Sequence, residues 1–129
     1  MMNDPLANVL SSIVSYESRG KRVLLVNPVN GVIKDVLGIM KREGFVGDFE
    51  SVSESKGGFG NLHLLGRINQ CGVIKPRFSV KVDEFVKFEK RFLPARDVGI
   101  LIVSTSKGVM THYEAKEKNI GGKLIAFCY

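Results

Sequence analysis

Apolar residues recur at Leu6, Val9, Leu10, Ile13 and Val14, a spacing that lays one stripe along a helix. Asp4 suits the N-cap, and Pro5 suits the first helical position, where a missing N–H costs nothing. The opposite face carries Asn8, Ser11, Ser12 and Ser15, all uncharged hydrogen-bonding residues where a solvated face usually mixes Lys and Glu. Such a face fits a polar partner surface and plain solvent equally well. The pattern then predicts a strand over 21–27 and a second helix opening at 28–30. That helix has Ile33, Val36, Leu37 and Met40 on its apolar side and Gly44 as its C-cap. Strands over 45–52 and 59–65 follow, joined by a Ser-Lys-Gly-Gly turn.

In the second half the pattern predicts a strand over 73–80, placed at an edge or a bulge because Pro76 has no N–H to donate. A helix over 83–93 puts Phe85, Phe88 and Phe92 on one side, a spacing that reads as core. Residues 100–105 form a buried strand, and Thr111 with Glu114 makes a capping box for a further helix that ends at Asn119. A terminal strand covers 123–129. The whole is an α+β fold of two small lobes: α-β-α-β-β over 1–66 and mixed β with short helices over 67–129, with 67–72 as the linker.

Composition sharpens this picture. With 44% hydrophobic and 25% charged residues, 129 residues can bury a core. The apolar runs are far shorter than the roughly 20 residues a membrane helix needs, and Asn3-Asp4-Pro5 does not open a secretory signal. The expected location is the cytoplasm. Cys71 and Cys128 are too few and too distant for a disulfide framework and read as small core residues. The net charge of +6 is regional: residues 1–65 hold seven Lys/Arg against seven Asp/Glu, whereas 66–129 hold twelve against six. A basic second lobe without a basic amphipathic helix points to nucleic acid before membrane, with an acidic protein partner as the alternative class.

Candidate chemistry is concentrated at Ser104-Thr105-Ser106-Lys107-Gly108, between an apolar strand and a capped helix. Hydroxyls, a lysine and a glycine let side chains and backbone N–H groups approach a phosphate-sugar surface. The same residues also suit an ordinary strand-to-helix loop. Ser104 and Lys107 match S-x-x-K, but the partner motifs S-D-N and K-T-G are missing, and no GxxxxGK[ST], GxGxxG or GxSxG occurs. His63 and His112 have no Cys or carboxylate at ligand spacing. No enzyme, metal, cofactor or small-molecule substrate is therefore expected. Lys75, Arg77, Arg96, Lys107 and Lys123 fall at strand ends or in loops and are the phosphate candidates, whereas Lys87, Lys90 and Arg91 read as a solvated helix face.

Five stretches in order carry a resemblance: Asp4-Pro5-Leu6-Ala7-Asn8, Cys71-Gly72-Val73-Ile74-Lys75-Pro76-Arg77-Phe78, Leu93-Pro94-Ala95-Arg96, Ser104-Thr105-Ser106-Lys107-Gly108-Val109-Met110 and Gly121-Gly122-Lys123. Over nearly its whole length the chain resembles the universal small-subunit ribosomal protein number eight, in its archaeal and eukaryotic cytosolic branch. The resemblance implies a two-lobed α+β protein that binds small-subunit rRNA in the central domain early in assembly, beside neighbouring small-subunit proteins. It makes Ser104, Thr105, Ser106, Lys107 and Gly108 the principal contact loop and Asn8 and Ser11 secondary contacts. Because bacterial relatives also bind their own messenger RNA through this surface, an autoregulatory role is the alternative function.

Overall fold

The second helix, α2 (Gly31–Arg42), shows how local sequence sets an element and its end in this computed structural model. It buries Ile33, Val36, Leu37, Ile39 and Met40. It stops where Gly44 takes a φ of 82°, a left-handed conformation that glycine adopts without a Cβ clash. The Phe45 N–H then reaches back to the Met40 carbonyl at 2.9 Å and the Gly44 N–H to that of Lys41 at 3.0 Å. These paired bonds are a Schellman ending, as the predicted C-cap requires. The structure describes residues 5–26, 31–53, 59–75, 77–95 and 98–129, the side chains of 51–59 excepted. The predicted N-cap Asp4, the start of the second helix at 28–30, the turn before Phe59 and the placement of Pro76 lie outside them.

Two compact units divide the chain, 1–71 and 72–129. In the first, α1 (Pro5–Ser18) buries Leu6, Val9, Leu10 and Ile13, with Val14 half-buried at the edge of the stripe. Strand β1 (Val23–Val26) turns Leu24 and Val26 inward. It pairs antiparallel with β3 (Phe59–Leu64), which also pairs with β2 (Val46–Ser53), so the sheet order is β1-β3-β2.

The second unit holds a five-stranded sheet in the order β4-β8-β6-β7, with β5 also on β8. The division between the units falls just after the first residue of β4 (Cys71–Val73). The single strand expected over 73–80 is two short ones, β4 and β5 (Ser79–Val80). The interruption falls between Val73 and Ser79. Both pieces still follow β8 (Gly122–Cys128): the Ile74 N–H donates to the Ile125 carbonyl at 2.9 Å and the Leu124 N–H to that of Phe78 at 3.0 Å.

The expected helix over 83–93 is a 3₁₀ turn, Val82–Glu84, running into α3 (Phe85–Phe92). Phe85 and Phe88 are buried in the core with Leu101, Val103, Ala115 and Leu124, and Phe92 packs at its margin. Burial of each of these phenylalanine, leucine and valine side chains stabilises by about 1.5–3 kcal/mol. Strand β6 (Ile100–Thr105) buries Ile100 through Val103, as its continuous apolar run predicts.

The predicted strand-to-helix loop also needs correction. Ser104 to Gly108 does not join a strand to a helix, because β7 (Gly108–Thr111) intervenes and makes the segment a hairpin tip. Four residues are too few to show a period of two. The capped helix follows at once as α4 (His112–Glu117), where the Glu114 N–H donates to Thr111 Oγ1 at 3.2 Å and Asn119 ends it at a φ of 56°.

Candidate nucleic-acid interface

The tip is a two-residue turn, Ser106-Lys107, closed by the pair Thr105↔Gly108. Among the described residues Asn119 alone, apart from glycines, has a positive φ, so both central residues keep the ordinary sign. A turn of that hand splays the strands. Gly108, at a φ of 112°, absorbs the mismatch. The Thr105 hydroxyl bridges the same turn: it donates to the Gly108 carbonyl at 2.8 Å and accepts the Lys107 N–H at 3.1 Å. Half-buried Thr105 therefore shapes the tip, and Ser104, Ser106 and Lys107 are its exposed groups.

Strand pairing then assembles what the chain separates. Ser104 lies opposite Lys123 on one side of β8, and Ser79 lies opposite the same Lys123 on the other. Directly opposite residues share a face, so Ser104, Lys123 and Ser79 form a row across three strands, and all three are exposed. Gly121 and Gly122 make this close seating possible. A Cβ on Gly122 would overlap the Ser104 carbonyl oxygen and come within 2.9 Å of Val103 Cγ1, and one on Gly121 would overlap the Val80 carbonyl oxygen. The row floors a groove of about 470 Å³ lined also by Lys81, Glu84, Thr105 and Ser106. Glu84 is held at the rim by the Lys81 N–H, which donates to its carboxylate at 3.1 Å.

The groove thus unites Ser104, Thr105, Ser106 and Lys123, with Lys107 and Gly108 at the adjoining tip. Lys75 and Arg77 are exposed in the segment between β4 and β5 and do not line it. Arg96 lies outside the described residues. Asn8 and Ser11 are exposed on α1 in the first unit. Sequence reasoning missed Ser79 and Lys81. Their only signal was the alternation Ser79, Val80, Lys81, which says that two residues share a face but not which strand lies alongside. Arg91, read as part of a solvated face, is exposed but stacks over Phe78 and Phe92, at 5.2 and 5.4 Å from the ring centroids.

Helices packed with two antiparallel sheets, one of them bearing this hairpin tip of hydroxyls and lysine, define an α+β protein. The chain belongs to the ribosomal protein S8 family, whose model matches residues 4–129. It is 52% identical over 129 residues to the small ribosomal subunit protein uS8 of Caldivirga maquilingensis, a match covering 100% of this chain and 99% of that relative.

Proposed function

We propose that this chain is a constituent of the small ribosomal subunit that binds rRNA of the central domain and supports its assembly in the cytoplasm. The basic second lobe, 67–129, is the RNA-binding lobe, and residues 104–108 are its principal contact. The observation that carries this reading is the exposed row of Ser104, Lys123 and Ser79 beside the Ser106-Lys107 tip. An A-form minor groove is wide and shallow and displays 2′-hydroxyls and base edges. Serine hydroxyls donate to and accept from such edges, while Lys107 and Lys123 neutralise flanking phosphates. Lys75, Arg77 and Arg96 extend the phosphate contacts, and the Asn8 and Ser11 face of α1 supplies a secondary contact to RNA beside neighbouring subunit proteins. The family is a structural, non-enzymatic component of the ribosome, and this site works by complementarity without turnover.

Crosslinking the protein to total cellular RNA, followed by sequencing, tests the proposal. One dominant peak in the small-subunit rRNA central domain is expected. Crosslinks spread over unrelated RNAs, or confined to the protein's own messenger, would overturn it.

A further inference from the structure

The hairpin that bears the tip has an unusual base. β6 and β7 pair from Thr105↔Gly108 down to Ile102↔Thr111, and there β7 ends because α4 begins at His112. The next rung would pair Leu101 with residue 112. The Leu101 N–H points to that side and is buried, so without a partner it would be an expensive orphan. The imidazole of His112 supplies the rung: Leu101 N–H donates to His112 Nδ1 at 3.0 Å.

Accepting at Nδ1 leaves the proton of the neutral ring on Nε2. Nε2 lies 3.2 Å from Glu89 Oε1 on α3, and Lys116 of α4 binds the same carboxylate oxygen. His112 and Glu89 are both buried, at 0% and 7% exposure. Phe85 and Tyr113 flank the ring, with centroids at 6.4 and 3.9 Å. The carboxylate of α3, with Lys116 of α4 on it, thus sits beside the imidazole whose other nitrogen binds the backbone of β6, three residues before Ser104.

We propose that His112 is a positioning residue for RNA binding: its Nδ1 closes the base of the hairpin, and the Glu89 carboxylate near Nε2 favours the tautomer that does so. This rests on the RNA reading of residues 104–108. Asn places its carbonyl oxygen two bonds from Cβ, where Nδ1 sits, whereas Gln places its polar atoms near Nε2. The two arms are therefore separable. His112→Asn keeps the acceptor for Leu101 and gives up the Glu89 arm; His112→Gln does the reverse.

The test measures backbone amide exchange over 101–111 and titration against transcribed Caldivirga maquilingensis small-subunit rRNA, at a temperature where circular dichroism shows each variant folded. His112→Gln is expected to speed exchange across the hairpin about tenfold. It is also expected to weaken rRNA binding severalfold, since fewer molecules present the tip correctly, with an unchanged salt slope. His112→Asn is expected to stay within about twofold of the unsubstituted protein in both. Wild-type affinity in folded His112→Gln, or equal losses in the two variants, would overturn the proposal. If His112→Gln does not fold, His112→Asn decides alone: near-wild-type exchange and binding support the acceptor role, and weakened binding refutes it. If the unsubstituted protein binds no better than to scrambled RNA, the RNA reading has failed, and the exchange arm still decides whether His112 closes the hairpin.

Discussion

Three adjacent residues at the hairpin tip divide its work. Thr105 spends its hydroxyl inside the turn, bonded to both Gly108 and Lys107, whereas Ser106 and Lys107 face outward. Thr105→Val keeps the β-branched shape and removes both bonds, so it is expected to destabilise the second unit by about 0.5–1.5 kcal/mol in urea unfolding. Ser106→Ala is expected to leave that midpoint unchanged and to reduce discrimination between cognate and scrambled RNA, without altering the salt dependence. Lys107→Ala is expected to weaken both RNAs alike and flatten the log-log salt slope by about 1, because a lysine on a phosphate carries no sequence information. Paired titrations at two salt concentrations separate the last two, and urea unfolding sets Thr105→Val apart from both. Equal losses for Ser106→Ala and Lys107→Ala on both RNAs would make the tip a plain electrostatic anchor.

At the scale of elements, Gly121 and Gly122, at the entry to β8, decide how closely three strands approach. Gly122→Ala drives a methyl into the Ser104 carbonyl and Val103, both anchored in a packed strand, and is expected to cost about 1–3 kcal/mol. Urea denaturation reads this directly, and a cost near zero would mean that β8 moves away without penalty. In the first unit, α2 and β2 are linked by Lys41 Nζ to Asp48 Oδ1 at 2.7 Å. The hydrogen bond from Lys41, then its charge, holds the Asp48 carboxyl below the ordinary value of 3.8. A carboxyl lowered on folding contributes stability that is present above 3.8 and is lost as pH falls through the folded value. Both partners are exposed, so the effect on stability is slight. The direct check is an NMR titration, in which Lys41→Met is expected to return Asp48 toward 3.8.

For the whole molecule, charge is the integrating quantity. If about four of Lys75, Arg77, Arg96, Lys107 and Lys123 neutralise phosphates, the salt slope of rRNA binding is expected to be roughly −3 to −4. Calorimetry at several salt concentrations measures it, and a slope near zero would remove the electrostatic account. Ser11→Glu on the exposed face of α1 is expected to change folding stability by less than about 0.5 kcal/mol and yet to impair incorporation into particles. Normal incorporation would show that face to be solvent.

The sequence by itself determined the elements whose cause is local. A 3.6-residue stripe placed α1, a left-handed glycine ended α2, and Thr111 with Glu114 started α4, because each depends only on residues within a turn or two. It also marked residues 104–108 as polar chemistry in an apolar setting. Pairing across distance was not legible there. That 104–108 tips a hairpin, that Ser79 and Lys81 join its groove, and that His112 supplies a missing rung all follow from strand register. Register is set by which side chains fill the shared core and where backbones can touch, as at Gly121 and Gly122. It belongs to the packed sheet, since a short strand of two to four residues carries too few side chains to specify its neighbour.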